Sequence, residues 1–270
     1  MNEHTYPSTE ISGWQDLTVG QMAARHPQSA RVFETHGIDY CCGGKRSLRE
    51  ACEKLGLDLE MIRADLAEAL RAAPLARETD WERATIAELI DHIQTDHHGF
   101  IRMEKPRLIA LAHKVARVHG SRHPELEALA ATVDDVFLEL DPHLEKEERA
   151  LFPAFRKWAQ AAPGTPPDAA FAKHLKGLEE EHAGIGKMLE TIQELTSGFQ
   201  PPEDACNSYL ALFHGLERLN ADLHEHIHEE NNILHARMAR AVSAPIAPQS
   251  GPGPVTAIRN GDPAETCCGR

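Results

Sequence analysis

Two histidine–glutamate pairs with identical spacing are the residues of this sequence best suited to chemistry. The stretches DPHLEKEERALFP and LHEHIHEENNILH each place a glutamate four positions after a histidine: Glu147 after His143, and Glu230 after His226. On a helix, side chains four positions apart lie one above the other, with about 6 Å between their Cβ atoms. Each pair can therefore present an imidazole and a carboxylate to the same metal ion.

The apolar periodicity predicts that both pairs face the interior of a helical bundle. Leucines and valines at steps of three and four lead directly to His143 and Glu147, and leucines lead in the same way to His226 and Glu230. A further histidine, His182, lies on the apolar stripe of another predicted helix. Burying these groups is costly unless they are paired. A buried ion-pair network would explain one such pair, but two matched pairs and a third histidine favour a metal site.

A fourth histidine is expected from the stretch DHIQTDHHGF in the first long helix. The stripe defined by Ile90 and Ile93 passes through His97 and leaves His98 on its flank, so the periodicity favours His97 without deciding between them. Four histidines and two glutamates are too many ligands for one tetrahedral zinc ion. They suit two metal ions bridged by carboxylates, and a dinuclear site within a four-helix bundle points to iron.

The composition excludes several classes of partner. A net charge of −14 argues against a surface for nucleic acid or anionic membranes. The sequence shows neither a secretory signal nor an apolar run long enough to cross a bilayer, so we expect a cytoplasmic protein. The six cysteines are two adjacent pairs, Cys41–Cys42 and Cys267–Cys268, and two single residues, Cys52 and Cys206, which we interpret as structural. This pattern is typical of reduced thiols rather than of a disulfide framework.

Helix-start and helix-end signals along the chain predict an all-α protein. Capping-box signals and helix-ending glycines suggest four short helices, and four long amphipathic segments with short connections suggest an antiparallel four-helix bundle. A tail rich in proline and glycine has no periodicity and is expected to be disordered. The predicted organisation is a flexible lead (1–16), a small helical domain (17–72), a linker (73–81), the bundle (82–241) and the tail (242–270).

Six stretches resemble the repair-of-iron-centres family, di-iron proteins with a hemerythrin-like domain, over residues Leu17 to Arg240. They are HGIDYCCGGKRSL, DHIQTDHHGF, HLEKEERALFP, EEEHAGIG, PPEDACNSY and LHEHIHEENNIL. The resemblance implies an oxo-bridged centre of two non-haem iron ions with both glutamates bridging. It places the ligands at His98, His143, Glu147, His182, His226 and Glu230, with tyrosine usual at the position of His97. It also suggests that Glu139 and Glu181 line a path to the centre.

The resemblance further implies a function in repairing iron–sulfur clusters damaged by nitric oxide or oxidative stress. The expected partners are proteins with damaged clusters, and we expect a monomer or homodimer that donates iron rather than a turnover enzyme. The alternatives are binding or sensing of NO or O2 at the di-iron centre, or reduction of NO there. A domain with an adjacent cysteine pair is not needed for gas binding alone, which favours transfer or redox chemistry.

The cysteine pair at residues 41 and 42 offers a second kind of chemistry. Adjacent cysteines form only a strained disulfide ring, so we expect free thiols or a labile disulfide. A helix predicted to start at Ser47 would lower a nearby thiol pKa and favour thiolate, which could take up iron, NO or an electron. The alternative is two small side chains packed beside a turn. The similar pair Cys267–Cys268 is either a mobile, metal-handling pair or part of a drifted extension.

Overall fold

Four short helices form the first part of the computed structural model, which describes residues 17–72, 79–161 and 170–243. They are α1 (Val19–Arg25), α2 (Gln28–Thr35), α3 (Leu48–Leu55) and α4 (Leu59–Ala72). The two predicted capping boxes, Thr18 with Gln21 and Ser47 with Glu50, begin α1 and α3. We call residues 17–72 the front unit; its core includes Phe33, Tyr40, Ile62 and Leu66, together with the buried Cys52.

Four long helical segments follow, close to the predicted positions. The first joins α5 (Ile86–His92) to α6 (Gly99–His119), and the second joins α7 (Glu125–Lys146) to α8 (Phe152–Ala159). The third is α9 (Ala170–Leu195), and the fourth joins α10 (Asn207–His228) to α11 (His235–Ser243). The first segment packs against the second and fourth, and the third packs against the second and fourth. This arrangement confirms the predicted all-α fold with a four-helix bundle.

Three of these segments contain a π-helical stretch that the periodicity did not predict. The stretches are Ile93–His98, Glu147–Leu151 and Glu229–Leu234. A π-helical turn inserts one extra residue, and such turns occur frequently at functional sites. Each stretch includes one of the predicted metal ligands at or near its end. The extra residue changes which side chains face the interior.

Apolar side chains fill the bundle on both sides of the three π-helical stretches. One cluster includes Leu129, Val133, Leu216 and Ile192, and a second cluster near the other end includes Ile90, Phe152, Phe155 and Leu234. The described helices include none that is both long and apolar enough to span a membrane. The polar groups between the two apolar clusters are buried.

The front unit packs closely on the fourth long segment through Asn232. The side-chain amide of Asn232 donates hydrogen bonds to the carbonyl oxygens of Tyr40 and Cys41, over 3.2 and 3.0 Å. A Cβ atom added at Gly20 or Gly44 would lie 2.3 or 2.4 Å from Asn232 Oδ1, so only glycine permits this approach. The cysteine pair is thereby held against the bundle.

Several predictions concern residues outside those that the structure describes. These are the lead (1–16), most of the linker (73–81), the tail beyond Ser243 and its cysteine pair Cys267–Cys268. They remain predictions.

Candidate metal centre

Six side chains predicted as metal ligands meet at the centre of the bundle. They form two groups, His98 with His226 and His143 with His182, and both groups share Glu147 and Glu230. Within each group the potential ligand atoms lie within 4.8 Å of one another. All six side chains are buried, with at most 2% of their surface exposed. One histidine comes from each long segment, and the glutamates come from the second and fourth.

The histidines point their Nε2 atoms at the shared carboxylates. His98 Nε2 and His143 Nε2 lie 3.5 and 3.4 Å from the oxygens of Glu147. His182 Nε2 and His226 Nε2 lie 3.1 and 3.2 Å from those of Glu230. Each carboxylate therefore faces two imidazoles from two different segments.

Polar side chains orient three of these rings from behind. The Nδ1 atom is hydrogen-bonded to an oxygen of Glu148 in His98 (2.8 Å), of Glu181 in His143 (2.8 Å) and of Asn231 in His182 (2.9 Å). Metal-binding histidines almost always make such an outer hydrogen bond, which fixes the tautomer and leaves the lone pair at the other nitrogen. Burial lowers the pKa of His98 and His143 to about 4, so both rings are neutral near pH 7.

The chemistry of these groups fits a pair of cations. All four oxygens of Glu147 and Glu230 are buried and lack a hydrogen-bond partner. Burial and the charge of Glu230 raise the pKa of Glu147 well above its ordinary value. Two unpartnered carboxylates side by side in a protein interior are unfavourable on their own. Cations between them would remove this penalty.

Comparison with known proteins places this site in a family. A family model described as "Hemerythrin HHE cation binding domain" matches residues 88–238, and "ScdA_N", a domain of unknown function, matches residues 15–70. The iron–sulfur cluster repair protein YtfE of Yersinia pseudotuberculosis serotype IB (strain PB1/+) is 36% identical over 227 residues. That alignment covers 84% of this chain and 98% of the relative. YtfE of Yersinia pestis (strain Pestoides F) is 35% identical with the same coverage.

The chain belongs to the YtfE family of iron–sulfur cluster repair proteins. Its hemerythrin-like domain is a cation-binding domain, and the His–Glu groups described above lie within the matched residues. The resemblance inferred from the sequence motifs is thereby confirmed.

In this member of the YtfE family, the structure brings His98 and not His97 to the shared glutamates. His98 Nε2 lies 3.3 Å from His226 Nε2, whereas His97 Nε2 points toward Glu229. The periodicity from Ile93 favoured His97 because a regular helix repeats after four residues. The π-helical turn makes the repeat five residues, which leads from Ile93 to His98.

The two accessory acids differ in their surroundings. Glu181 accepts hydrogen bonds from His143 and Lys146, so it orients a ring of the centre. Glu139 is exposed, and it borders the same surface depression as Glu181, together with Asp135 and Glu180. Their suggested role along a path to the centre stays a prediction.

The cysteine pair lies directly behind one of the histidines. The Cys42 thiol donates to the backbone carbonyl oxygen of His182 over 3.4 Å, and the thiols of Cys41 and Cys42 are 3.8 Å apart and free. Whether the pair approaches the centre could not be read from the sequence.

The expectation of a ready thiolate is wrong for Cys41. Its hydrogen bond to Cys42 and its burial raise the pKa of the Cys41 thiol well above the ordinary value. The nearby carboxylate of Asp39 also opposes ionisation.

Four polar residues near the centre were missed by the sequence reasoning. His92 and Glu229 adjoin His97, Asp222 accepts from His97 Nδ1, and His235 is buried with both ring nitrogens unpartnered. The sequence did indicate His92, because Asp96 follows it four positions later, the same spacing as in the two histidine–glutamate pairs. Glu229 carried no signal, since it precedes a predicted ligand and its position depends on the π-helical turn.

Proposed function

We propose that this chain repairs iron–sulfur clusters by donating iron from a dinuclear non-haem iron centre. The observation that carries the proposal is the pair of two-histidine groups sharing Glu147 and Glu230 in a buried, otherwise unfavourable arrangement. The relatives that match nearly their whole length bear the name of iron–sulfur cluster repair proteins. The function in the names of these relatives therefore supports this proposal.

In the proposed centre, His98 and His226 hold one iron, and His143 and His182 hold the other. Glu147 and Glu230, which both groups share, would supply carboxylate oxygens to the two ions, and an oxo-bridged iron pair of this kind would supply the releasable metal. Only six protein side chains then serve two metal ions, so some coordination positions are left to small ligands. Iron held in this way is easier to release than iron in a cage filled by protein ligands.

The outer residues keep the site ready to receive and release the metal. Glu148, Glu181 and Asn231 hold three rings with their Nε2 lone pairs inward, so little reorganisation is needed on loading. The apolar clusters on both sides exclude water and strengthen the attraction between the carboxylates and the cations.

We further propose that Cys41 and Cys42 assist the transfer. With Asp39 they form a group whose potential ligand atoms lie within 4.8 Å of one another. They line a pocket at the surface, with Lys45, Asn231 and Asn232. A client chain could reach the thiols there, while Cys42 remains in contact with His182. The proposed site of action is the cytoplasm, where such thiols stay reduced.

The test is the reactivation of a dehydratase whose [4Fe–4S] cluster has been damaged by nitric oxide. The iron-loaded full chain is added anaerobically with no other iron, and dehydratase activity and chain-bound iron are followed together. We expect activity to recover in proportion to the iron lost by the chain. Cys42→Ser should slow the recovery, and Glu145→Gln, an exposed substitution outside the centre, should not.

The same assay separates the alternative functions. No recovery, with both irons retained, would overturn iron donation and support binding or sensing of NO or O2 at the same ligands. Sustained consumption of NO over many cycles would instead support NO reduction, and the protein would then be an enzyme.

A further inference from the structure

A third group of ligand-type side chains lies beside the dinuclear centre and takes no part in it. It consists of His92, His97 and Glu229, whose potential ligand atoms also lie within 4.8 Å of one another. His97 and Glu229 are buried, with 4% and 3% of their surface exposed. We propose that these three residues form a mononuclear site for a divalent transition-metal ion. This inference does not depend on the proposed repair function.

The distances suit a tetrahedral metal ion. Glu229 Oε2 lies 3.4 Å from His92 Nε2 and 3.5 Å from His97 Nε2. Bonds of about 2.0 to 2.1 Å in a tetrahedral site place neighbouring ligand atoms about 3.3 to 3.4 Å apart. The two distances from Glu229 to the histidines are therefore close to those between neighbouring ligands of a tetrahedral site.

The Nδ1 atoms of His92 and His97 are hydrogen-bonded to carboxylates, as they are in His98 and His143 of the dinuclear centre. His92 Nδ1 lies 2.6 Å from an oxygen of Asp96, and His97 Nδ1 lies 3.0 Å from an oxygen of Asp222. Glu148 and Glu181 hold His98 and His143 through the same ring nitrogen. Metal-binding histidines are typically oriented by such a carboxylate. Both rings of the third group thus turn their Nε2 atoms toward Glu229.

A simple ion-pair network accounts less well for the inner atoms. His97 Nε2 and Glu229 Oε2 are buried and lack a hydrogen-bond partner, although they lie 3.5 Å apart. An imidazolium hydrogen-bonded to a carboxylate would be expected at about 2.7 to 2.9 Å, comparable to the outer contacts. Groups that can ligate a metal face one another at the spacing of ligands rather than of hydrogen bonds.

The surroundings give the site both access and connection. The His92 side chain is 21% exposed and stacks on the indole of Trp81, with 4.4 Å between the ring centroids. On the inner side, the ring of His97 stacks nearly parallel to that of His226, with 5.5 Å between the centroids. The third site therefore lies between the protein surface and the dinuclear centre.

The ligand set selects the class of metal. Two imidazoles and one carboxylate suit Fe²⁺, Co²⁺ or Zn²⁺, whereas Mg²⁺ and Ca²⁺ prefer ligands that are all oxygen. The π-helical turns make the site possible, since His97 lies within one turn and Glu229 begins another. Each turn places two successive residues in the buried region, one at each metal site.

The experiment is an anaerobic titration of the metal-free full chain with Co²⁺, in which binding is measured by calorimetry and by visible absorption. We expect wild type to bind one more equivalent of Co²⁺ than His92→Ala, with an absorption band that this variant lacks. Asp96→Asn should weaken binding of that equivalent about 10- to 100-fold, since it replaces the outer carboxylate of His92 with a neutral amide. His113→Ala is the matched control, because His113 is also paired with an aspartate but lies on the surface.

Equal Co²⁺ stoichiometry in wild type and His92→Ala would overturn the proposal, as would the same loss in His113→Ala. Circular dichroism shows whether His92→Ala keeps its fold, and binding of two equivalents of Co²⁺ shows whether it keeps its dinuclear centre. If it does not, Asp96→Asn decides, because that side chain is 62% exposed and its replacement leaves the core unchanged. Unchanged affinity in Asp96→Asn would then refute the site.

Discussion

Replacing Glu147 with glutamine should have opposite effects on the metal-free and metal-loaded forms of the protein. In the metal-free form, Glu147 is fully buried beside Glu230, and neither carboxylate has a hydrogen-bond partner. Glutamine has nearly the same shape and no charge, and its amide can donate to an Nε2 lone pair of His98 or His143. We therefore expect Glu147→Gln to stabilise the metal-free protein and to destroy the dinuclear centre.

Two independent estimates give the size of the stabilisation. The potential ligand atoms of Glu147 and Glu230 lie within 4.8 Å of each other, and two charges at that distance repel by about 3.5 kcal/mol at an effective dielectric constant of about 20. The protein can avoid this repulsion by protonating Glu147. At pH 7 that costs about 3.7 kcal/mol, since pH 7 is about 2.7 units above the ordinary glutamate pKa. The variant should gain about 3 kcal/mol, or roughly 6 to 12 °C in Tm.

The effect should depend on pH with a definite sign. Because the pKa of Glu147 is raised in the folded state, the folded protein binds a proton that the unfolded chain has lost above about pH 4.3. The metal-free wild type therefore loses stability relative to the variant as the pH rises from about 4 to 7. Below pH 4 Glu147 is protonated in both the folded and the unfolded wild type, so the stability difference from the variant should vanish.

Thermal and urea unfolding of the full chain at pH 4 and pH 7 provide the assay, with iron content measured in parallel. Iron should raise the Tm of wild type and leave that of Glu147→Gln unchanged, while bound iron should fall from the proposed two ions per chain to fewer than one. Glu145→Gln is the matched control, because Glu145 is exposed and pairs only with Arg149 among the described contacts. A metal-free Glu147→Gln protein less stable than wild type at pH 7 would refute the argument from carboxylate repulsion.

Three further predictions concern the front unit and its contact with the bundle. Asn232→Ala removes two hydrogen bonds to the carbonyl oxygens of residues 40 and 41, which should weaken docking by about 2 kcal/mol and speed the alkylation of Cys41 roughly 30-fold. Unchanged alkylation would show that docking does not protect the thiol. Burial lowers the pKa of His228 to about 4, so folding favours its neutral form. Metal-free wild type should therefore lose up to about 3 kcal/mol relative to His228→Gln as the pH falls from 6.5 to 4, measured by urea unfolding; parallel pH profiles would contradict this. Ser47→Ala removes an N-cap and should lower stability by about 1 kcal/mol. The control is Ser208→Ala, which removes only a surface hydrogen bond from Lys114; equal midpoints for the two variants would argue against the cap.

The sequence alone was sufficient for the bundle and for most of the inner cluster. Apolar residues at helical spacing define the buried stripes, and His143, Glu147, His226 and Glu230 continue those stripes without a break. This works because a helix repeats regularly, so that a residue's face follows from its distance along the chain. The capping boxes at Thr18 and Ser47 were equally local, since each requires only residues three positions apart.

The tertiary structure decided what depends on a change of register or on contacts between distant segments. The π-helical turns place His98, not His97, at the shared glutamates and turn Glu229 inward. Each extra residue rotates the following side chains about the helix axis, which the spacing rule for a regular helix does not predict. Burial beside Cys42 and Asp39 raises the pKa of Cys41, contrary to the expectation from the nearby helix start. The position of Cys42 behind His182 spans 140 positions of the chain, so only folding could establish it.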